Sequence, residues 1–191
     1  MSERPDPYVL PPGLPVPVDD GAADHLAGSV VPALSLPSTT GREVNLGDAA
    51  QGTLVVYAYP RTGRPGEPLP AGWDEIPGAR GCTPQACAFR DRFHELRSLR
   101  AEVLGLSAQQ LPDQLEFAER VGLPYPVLSD PQLRLATALG LPTFDVAGMR
   151  LYRRLTLIAR DGRIEKVFYP VFPPDRNAAD VAAWLAESGG A

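Results

Sequence analysis

Cysteine is nearly absent from this chain. Two residues in 191, Cys82 and Cys87, are too few to staple a disulfide-built secreted scaffold. No long basic run occurs, and the formal net charge is −5, which excludes nucleic acid or an anionic membrane as the expected partner. Long apolar runs are also missing. The longest, such as Leu54 to Tyr59, are strand-sized, far below the roughly 20 residues that cross a bilayer. Met1 to Pro7 is polar and charged, without an apolar core behind a basic start, so no secretory leader is expected. Those absences leave a protein expected in the cytoplasm. There a close cysteine pair points to chemistry more than to stapling, with two buried apolar thiols as the plainer alternative. Zinc needs further ligands; His94 follows Cys87 by seven residues and nothing completes a set, so no metal and no other cofactor is expected.

What is present is an apolar content of 44%, enough for a packed core. Residues 1–26, with Pro11, Pro12, Pro15 and Pro17, read as an irregular arm, and 27–191 as one domain. Leu54 to Tyr59 is β-branched, aromatic and nearly continuous, the pattern of a strand buried on both faces. A loop rich in proline and glycine runs from Pro60 to Gly81, long for a compact domain, as functional or disordered loops are. A helix is expected next, capped by Thr83 with Pro84 in its first turn, and Phe89, Phe93, Leu96 and Leu99 continue its apolar face. Ala101 to Leu106 reads as a strand, Pro112 to Val121 as a helix stopped by Gly122, and Tyr125 to Leu128 as a short strand. A third helix is expected from Asp130 and Pro131 to Gly140. Leu151 to Ala159 and Arg163 to Tyr169 read as a hairpin about Asp161-Gly162, and Asp175 to Glu187 as a closing amphipathic helix. This order predicts an α/β fold, a thioredoxin-like three-layer sandwich with a mixed central sheet flanked by helices.

Cys82 falls where a glycine-rich loop meets a helix N-terminus, and free backbone N–H groups there favour an anion such as a thiolate. Gly78 and Gly81 allow close backbone approach. Cys87 lies five residues on. In an intact helix the two side chains would be about 140° apart around the axis and roughly 7.5 Å apart along it. A disulfide needs Cα atoms at about 5.5–6 Å, so bonding requires the first turn to unwind. The spacing is not the C-x-x-C of thioredoxin-type reductases.

The stretch Gly81-Cys82-Thr83-Pro84-Gln85-Ala86-Cys87-Ala88-Phe89-Arg90-Asp91 resembles the active-site helix of peroxiredoxins, closest to the Q type, or bacterioferritin comigratory protein, with its G-C-T-x-x-A-C-x-F-R-D pattern. Val103 to Ser107, Leu123 to Asp130 and Arg154 to Ile158 are similar to further family segments, so the resemblance covers roughly 28–187. It implies a thiol-dependent peroxidase acting on hydrogen peroxide or organic hydroperoxides. Cys82 would attack the peroxide and become a sulfenic acid, Cys87 would resolve it to a disulfide, and a thioredoxin-like or other dithiol would reduce that. Arg154, preferred to its neighbour Arg153, would hold the thiolate and polarise the peroxide. Pro60, Gly81 and Thr83 would shape the peroxide pocket. Two departures stand out. Ala79 occupies the family's Thr or Ser position, leaving Thr62 and Thr83 as candidates for the lost hydroxyl. Pro60 precedes Cys82 by 22 residues instead of seven, an insertion of about fifteen residues carrying Trp73. These departures keep a non-catalytic redox sensor or binding module open as an alternative; a general thiol–disulfide oxidoreductase is the third reading. Either a monomer or a homodimer is compatible with the sequence.

Overall fold

The structure, a computed structural model, describes residues 8–189. Residues 1–7 of the expected arm, where the absence of a leader was read, and residues 190–191 lie outside the described part. Among its described residues, 8–26, the arm carries no regular element until a 3-10 turn at Asp24–Leu26. A small hairpin of β1 (Ser35–Pro37) and β2 (Glu43–Asn45) and the one-turn helix α1 (Leu46–Ala49) lead into β3 (Thr53–Ala58). After the long loop come α2 (Cys82–Asp91), α3 (Phe93–Ser98), β4 (Ala101–Ser107), α4 (Leu111–Val121), β5 (Val127–Ser129) and α5 (Arg134–Leu139). The chain closes with β6 (Thr143–Val146), β7 (Met149–Tyr152), β8 (Leu155–Arg160), β9 (Arg163–Phe168) and α6 (Asn177–Ser188).

The central sheet has the order β5-β4-β3-β8-β9. β3, β4 and β5 run parallel, while β8 is antiparallel to both β3 and β9. It is the mixed sheet of a thioredoxin-like sandwich. Successive residues of β3 serve opposite faces because strand side chains alternate. Leu54, Val56 and Ala58 enter one core with Leu104, Leu106 and Leu135. Val55 and Tyr57, with Tyr59 just beyond the strand, enter the other with Phe89, Phe117, Val181 and Leu185. Tyr57 stacks on Phe89 with ring centroids 4.4 Å apart, which fixes α2 against the sheet.

Several expected boundaries shift. The long helix after Cys82 breaks at Arg92, which leaves helical geometry at φ −99°, ψ 6°, so α2 and α3 are separate. Thr83 is not the cap of α2. Gly81 takes that position in left-handed geometry at φ 100° with no side-chain cap, so the chain has already turned into the helix when it reaches Thr83. The third helix starts at Arg134, because the Asp130 carboxylate accepts from the N–H groups of Arg134 (2.9 Å) and Leu135 (2.9 Å) and acts ahead of the helix. The strand expected from Leu151 to Ala159 is interrupted at Arg153 and Arg154. Its first part, β7, instead pairs with β6 around Ala147 and Gly148, both at positive φ. Pro174–Arg176 forms a 3-10 turn, delaying α6 to Asn177.

Candidate active site

Cys82 begins α2 and is 4% exposed, within the core beneath that helix. Arg154 comes to it from the segment joining β7 to β8, 3% exposed, and its Nη2 donates to Cys82 Sγ at 3.1 Å. The same Nη2 donates to the carbonyls of Ala79 (3.1 Å) and Arg80 (3.1 Å), and Nε to that of Gly78 (3.2 Å). Nη1 donates to Gln85 Oε1. The guanidinium therefore spends its planar fork on three consecutive carbonyls, one amide and the sulfur. Among the described residues it has no carboxylate within ion-pair distance. Of the acceptors that Arg154 reaches, Cys82 Sγ is the one that is not an amide or peptide oxygen.

Gly81 has a physical requirement. Its φ is 100°, and a Cβ there would lie 2.7 Å from Leu10 Cδ2 and inside van der Waals contact of Pro174. The expected arm thus reaches the turn before Cys82, and its Val16, Pro17 and Val18 line a second cavity of about 200 Å3 together with Arg154.

A larger cavity, about 780 Å3, opens on Cys82, Gly81 and Thr83, with Trp73 and Leu69 of the long loop on its wall. Pro60 is not on that wall; it lines the smaller cavity instead. Thr62 also borders the large cavity, but its N–H and hydroxyl both donate to Gln109 Oε1, at 2.8 and 3.1 Å. Thr83 has no hydrogen-bond partner for its hydroxyl among the described residues and faces the same space. Ala79 is buried with Trp73 and Leu151 and presents only its carbonyl to the sulfur, 3.6 Å from Sγ.

Cys87 sits in the intact helix, half-buried, with a free thiol, as does Cys82. Burial pushes the Cys87 thiol up, opposed by the nearby charges of Arg90 and Arg120 and reinforced by Asp91. Beneath both cysteines, Tyr125 donates its hydroxyl to the Ala86 carbonyl at 2.9 Å, which leaves its oxygen to accept from Tyr57 at 3.0 Å. Burial raises all three phenols Tyr57, Tyr59 and Tyr125, so they act here as neutral hydrogen-bonding groups. Arg153 stacks over Phe144 at 5.8 Å and makes no contact with the sulfur. Gln85 and Asn177 were not legible as site residues. Gln85 occupies an unconstrained position of the motif, and the only signal for it was a polar residue three after Cys82 on the helix's inner face.

The redoxin family model matches residues 26–185. The chain belongs to the redoxin family. Within it, its relatives include peroxiredoxins of the Q type. Peroxiredoxin Bcp of Escherichia coli strain K12 is 32% identical over 169 residues, covering 84% of this chain and 96% of that protein. The chloroplastic peroxiredoxin Q of Gentiana triflora is 30% identical over 158 residues, 83% of this chain; the match spans 65% of the plant protein. Among solved structures, the peroxidoxin BcpB of Mycobacterium tuberculosis superimposes with a TM-score of 0.69 at 28% identity, covering 85% of this chain and 97% of that one. This redoxin therefore shares a Q-type scaffold, on which Arg154 meets Cys82 at the start of α2 and Cys87 lies further along the same helix.

Proposed function

We propose that the protein is a thiol-dependent peroxidase that reduces hydrogen peroxide or an organic hydroperoxide and is recycled by a thioredoxin-like or other dithiol. The observation that carries this reading is the Arg154 guanidinium donating to the Cys82 sulfur at the floor of an open cavity. The Cys82 thiolate attacks one peroxide oxygen: an S–O bond forms, the O–O bond breaks, and the departing oxygen takes a proton and leaves as water or an alcohol. Arg154 lowers the charge cost at the sulfur and at the leaving oxygen. The Cys87 sulfur then attacks the sulfenic sulfur, forming S–S and releasing water once the first turn of α2 has opened. Two electrons from an external dithiol restore both thiols. Gly81 and Thr83 border the peroxide site, and Thr83 is the candidate to replace the missing hydroxyl at Ala79, since that of Thr62 is spent on Gln109. Pro60 acts more remotely, through the Ser107 hydroxyl that donates to its carbonyl at 3.1 Å. Residues 27–191 form the catalytic domain and 1–26 the arm. The long loop lines a cavity of about 780 Å3, which has room for an organic hydroperoxide. The reading needs a compartment that supplies dithiol, as the cytoplasm does, and either a monomer or a homodimer accommodates it.

The test is peroxide consumption with dithiothreitol or a thioredoxin system as reductant. Cys82→Ser abolishes turnover and Cys87→Ser leaves single-turnover oxidation intact; unchanged turnover in Cys82→Ser overturns the reading.

A further inference from the structure

The first turn of α2 is gripped from a segment remote in sequence. Asn177, the first residue of α6 and 2% exposed, accepts two hydrogen bonds on Oδ1: from Gln85 Nε2 at 2.9 Å and from the Thr156 hydroxyl at 2.7 Å. Gln85 is fully buried, and its other amide atom, Oε1, accepts from Arg154 Nη1. Donors and acceptors are matched at every link. Arg154 requires oxygen from the Gln85 amide, which turns Nε2 away from it; Nε2 requires an acceptor, which Asn177 supplies; and Thr156, two residues after Arg154 in the chain, holds that acceptor in place. The ring of contacts joins β8, α2 and α6 behind the sulfur. The 174–176 turn adds to the grip, since it packs against α2 and Pro174 lies over Gly81.

We infer that Asn177 is a positioning residue: it aims Arg154 at Cys82 through Gln85 and latches the first turn of α2 shut. The inference rests on the peroxidase reading above. Gln85 lies between the two cysteines, so the unwinding that brings them together must pull its amide from Asn177 and Arg154. Asn177 and Thr156 belong to α6 and β8, outside the turn that unwinds. One residue therefore assists peroxide attack, which needs the closed turn, and opposes disulfide formation, which needs the open one. A side chain with a merely structural role would not move the two steps in opposite directions.

The experiment is stopped-flow oxidation of the reduced full chain by hydrogen peroxide, resolving the second-order attack on Cys82 from the first-order disulfide step. Asn177→Leu keeps the volume and removes the acceptor. It is expected to slow attack about tenfold and to speed disulfide formation about tenfold, the scale of one lost buried hydrogen bond. Thr156→Val, a gentler change that holds the test if Asn177→Leu does not fold, shifts both rates in the same opposed sense by at least about twofold. Leu46→Ala, a truncation in the core on the opposite face of the sheet, lowers the urea midpoint and leaves both rates unchanged. If both ring variants fold and leave the rates within twofold of wild type, or move them in the same direction, the latch is overturned. A wild-type Cys82 that does not react with peroxide would instead overturn the peroxidase reading itself.

Discussion

At the scale of single residues, the site is organised around a buried positive charge. Arg154 has five N–H donors, and the structure employs both Nη groups and Nε on the carbonyls of Gly78, Ala79 and Arg80, on Gln85 and on Cys82. Lysine would keep the charge and lose the fork. Arg154→Lys is expected to slow Cys82 oxidation by about 100-fold, the scale of one preorganised donor in a dry site, as read by stopped-flow fluorescence; a loss under twofold would mean that charge alone suffices. Cys87 behaves differently. Burial raises its thiol above the ordinary range, while Arg90 and Arg120 pull it down. The folded state thus prefers the protonated thiol. That preference contributes stability below the ordinary thiol range and loses it as pH climbs through the raised value. In Cys82→Ser, where Cys87 is the sole thiol, iodoacetamide labelling should reach half its maximal rate above the pH of a free thiol, and Arg90→Gln should move that point higher still. A midpoint at or below the free-thiol value would contradict the burial argument. When the helix turn opens, Cys87 gains solvent and becomes the better nucleophile at the moment it is needed.

At the scale of elements, the loop between β3 and α2 is tied down by its tryptophan. Trp73, 3% exposed, packs with Ala79 and Leu151, tilted against Phe144 at a centroid distance of 6.3 Å. It anchors the loop to the β6–β7 hairpin and supplies cavity wall at once. Trp73→Ala should cost about 3–5 kcal/mol of stability, in line with large aromatic truncations, measured by urea unfolding. It should also reduce turnover of a bulky hydroperoxide more than that of hydrogen peroxide. Equal effects on both would mean that the loop does not shape the substrate site. Strands and helices were readable where periodicity was long and both faces were committed, as in β3, α4 and the β8–β9 hairpin about Asp161-Gly162. The β6–β7 hairpin was missed because its turn, Ala147-Gly148, lacks the Asn or Asp that usually announces one, although Phe144 and Val146 alternate as a strand should. The break at Arg92 was hidden because the apolar spacing of Phe89, Phe93 and Leu96 continues across it.

At the scale of the whole molecule, three segments distant in sequence are joined by hydrogen bonds through Arg154 and Gln85: the 78–85 turn and helix start, the β7–β8 junction with Arg154, and the opening of α6 with Asn177. The arm joins them through Leu10 against Gly81, and the Tyr169 hydroxyl donates to Asp20 at 2.9 Å. The cysteine pair and its spacing could be read from the chain because they are local. Arg154 could be placed only through family resemblance. Asn177 could not be read at all and Gln85 only as a polar residue on the inner face of the helix, because their roles depend on a hydrogen-bond ring closed by tertiary packing, which leaves no local sequence pattern. Pro60 shows the converse: its motif position suggested the peroxide pocket, and the long loop has put it on the wall of another cavity.

The central claim is that Cys82 takes oxygen from a peroxide and Cys87 removes it by reaching across an opened helix turn. Intact-mass spectrometry after one equivalent of hydroperoxide, on wild type and on Cys87→Ser, tests it most directly. Wild type should lose two hydrogens and show a peptide linking residues 82 and 87, while Cys87→Ser should gain one oxygen at Cys82. An unchanged wild-type mass, or an oxygen retained on wild-type Cys82 with Cys87 still free, would contradict it.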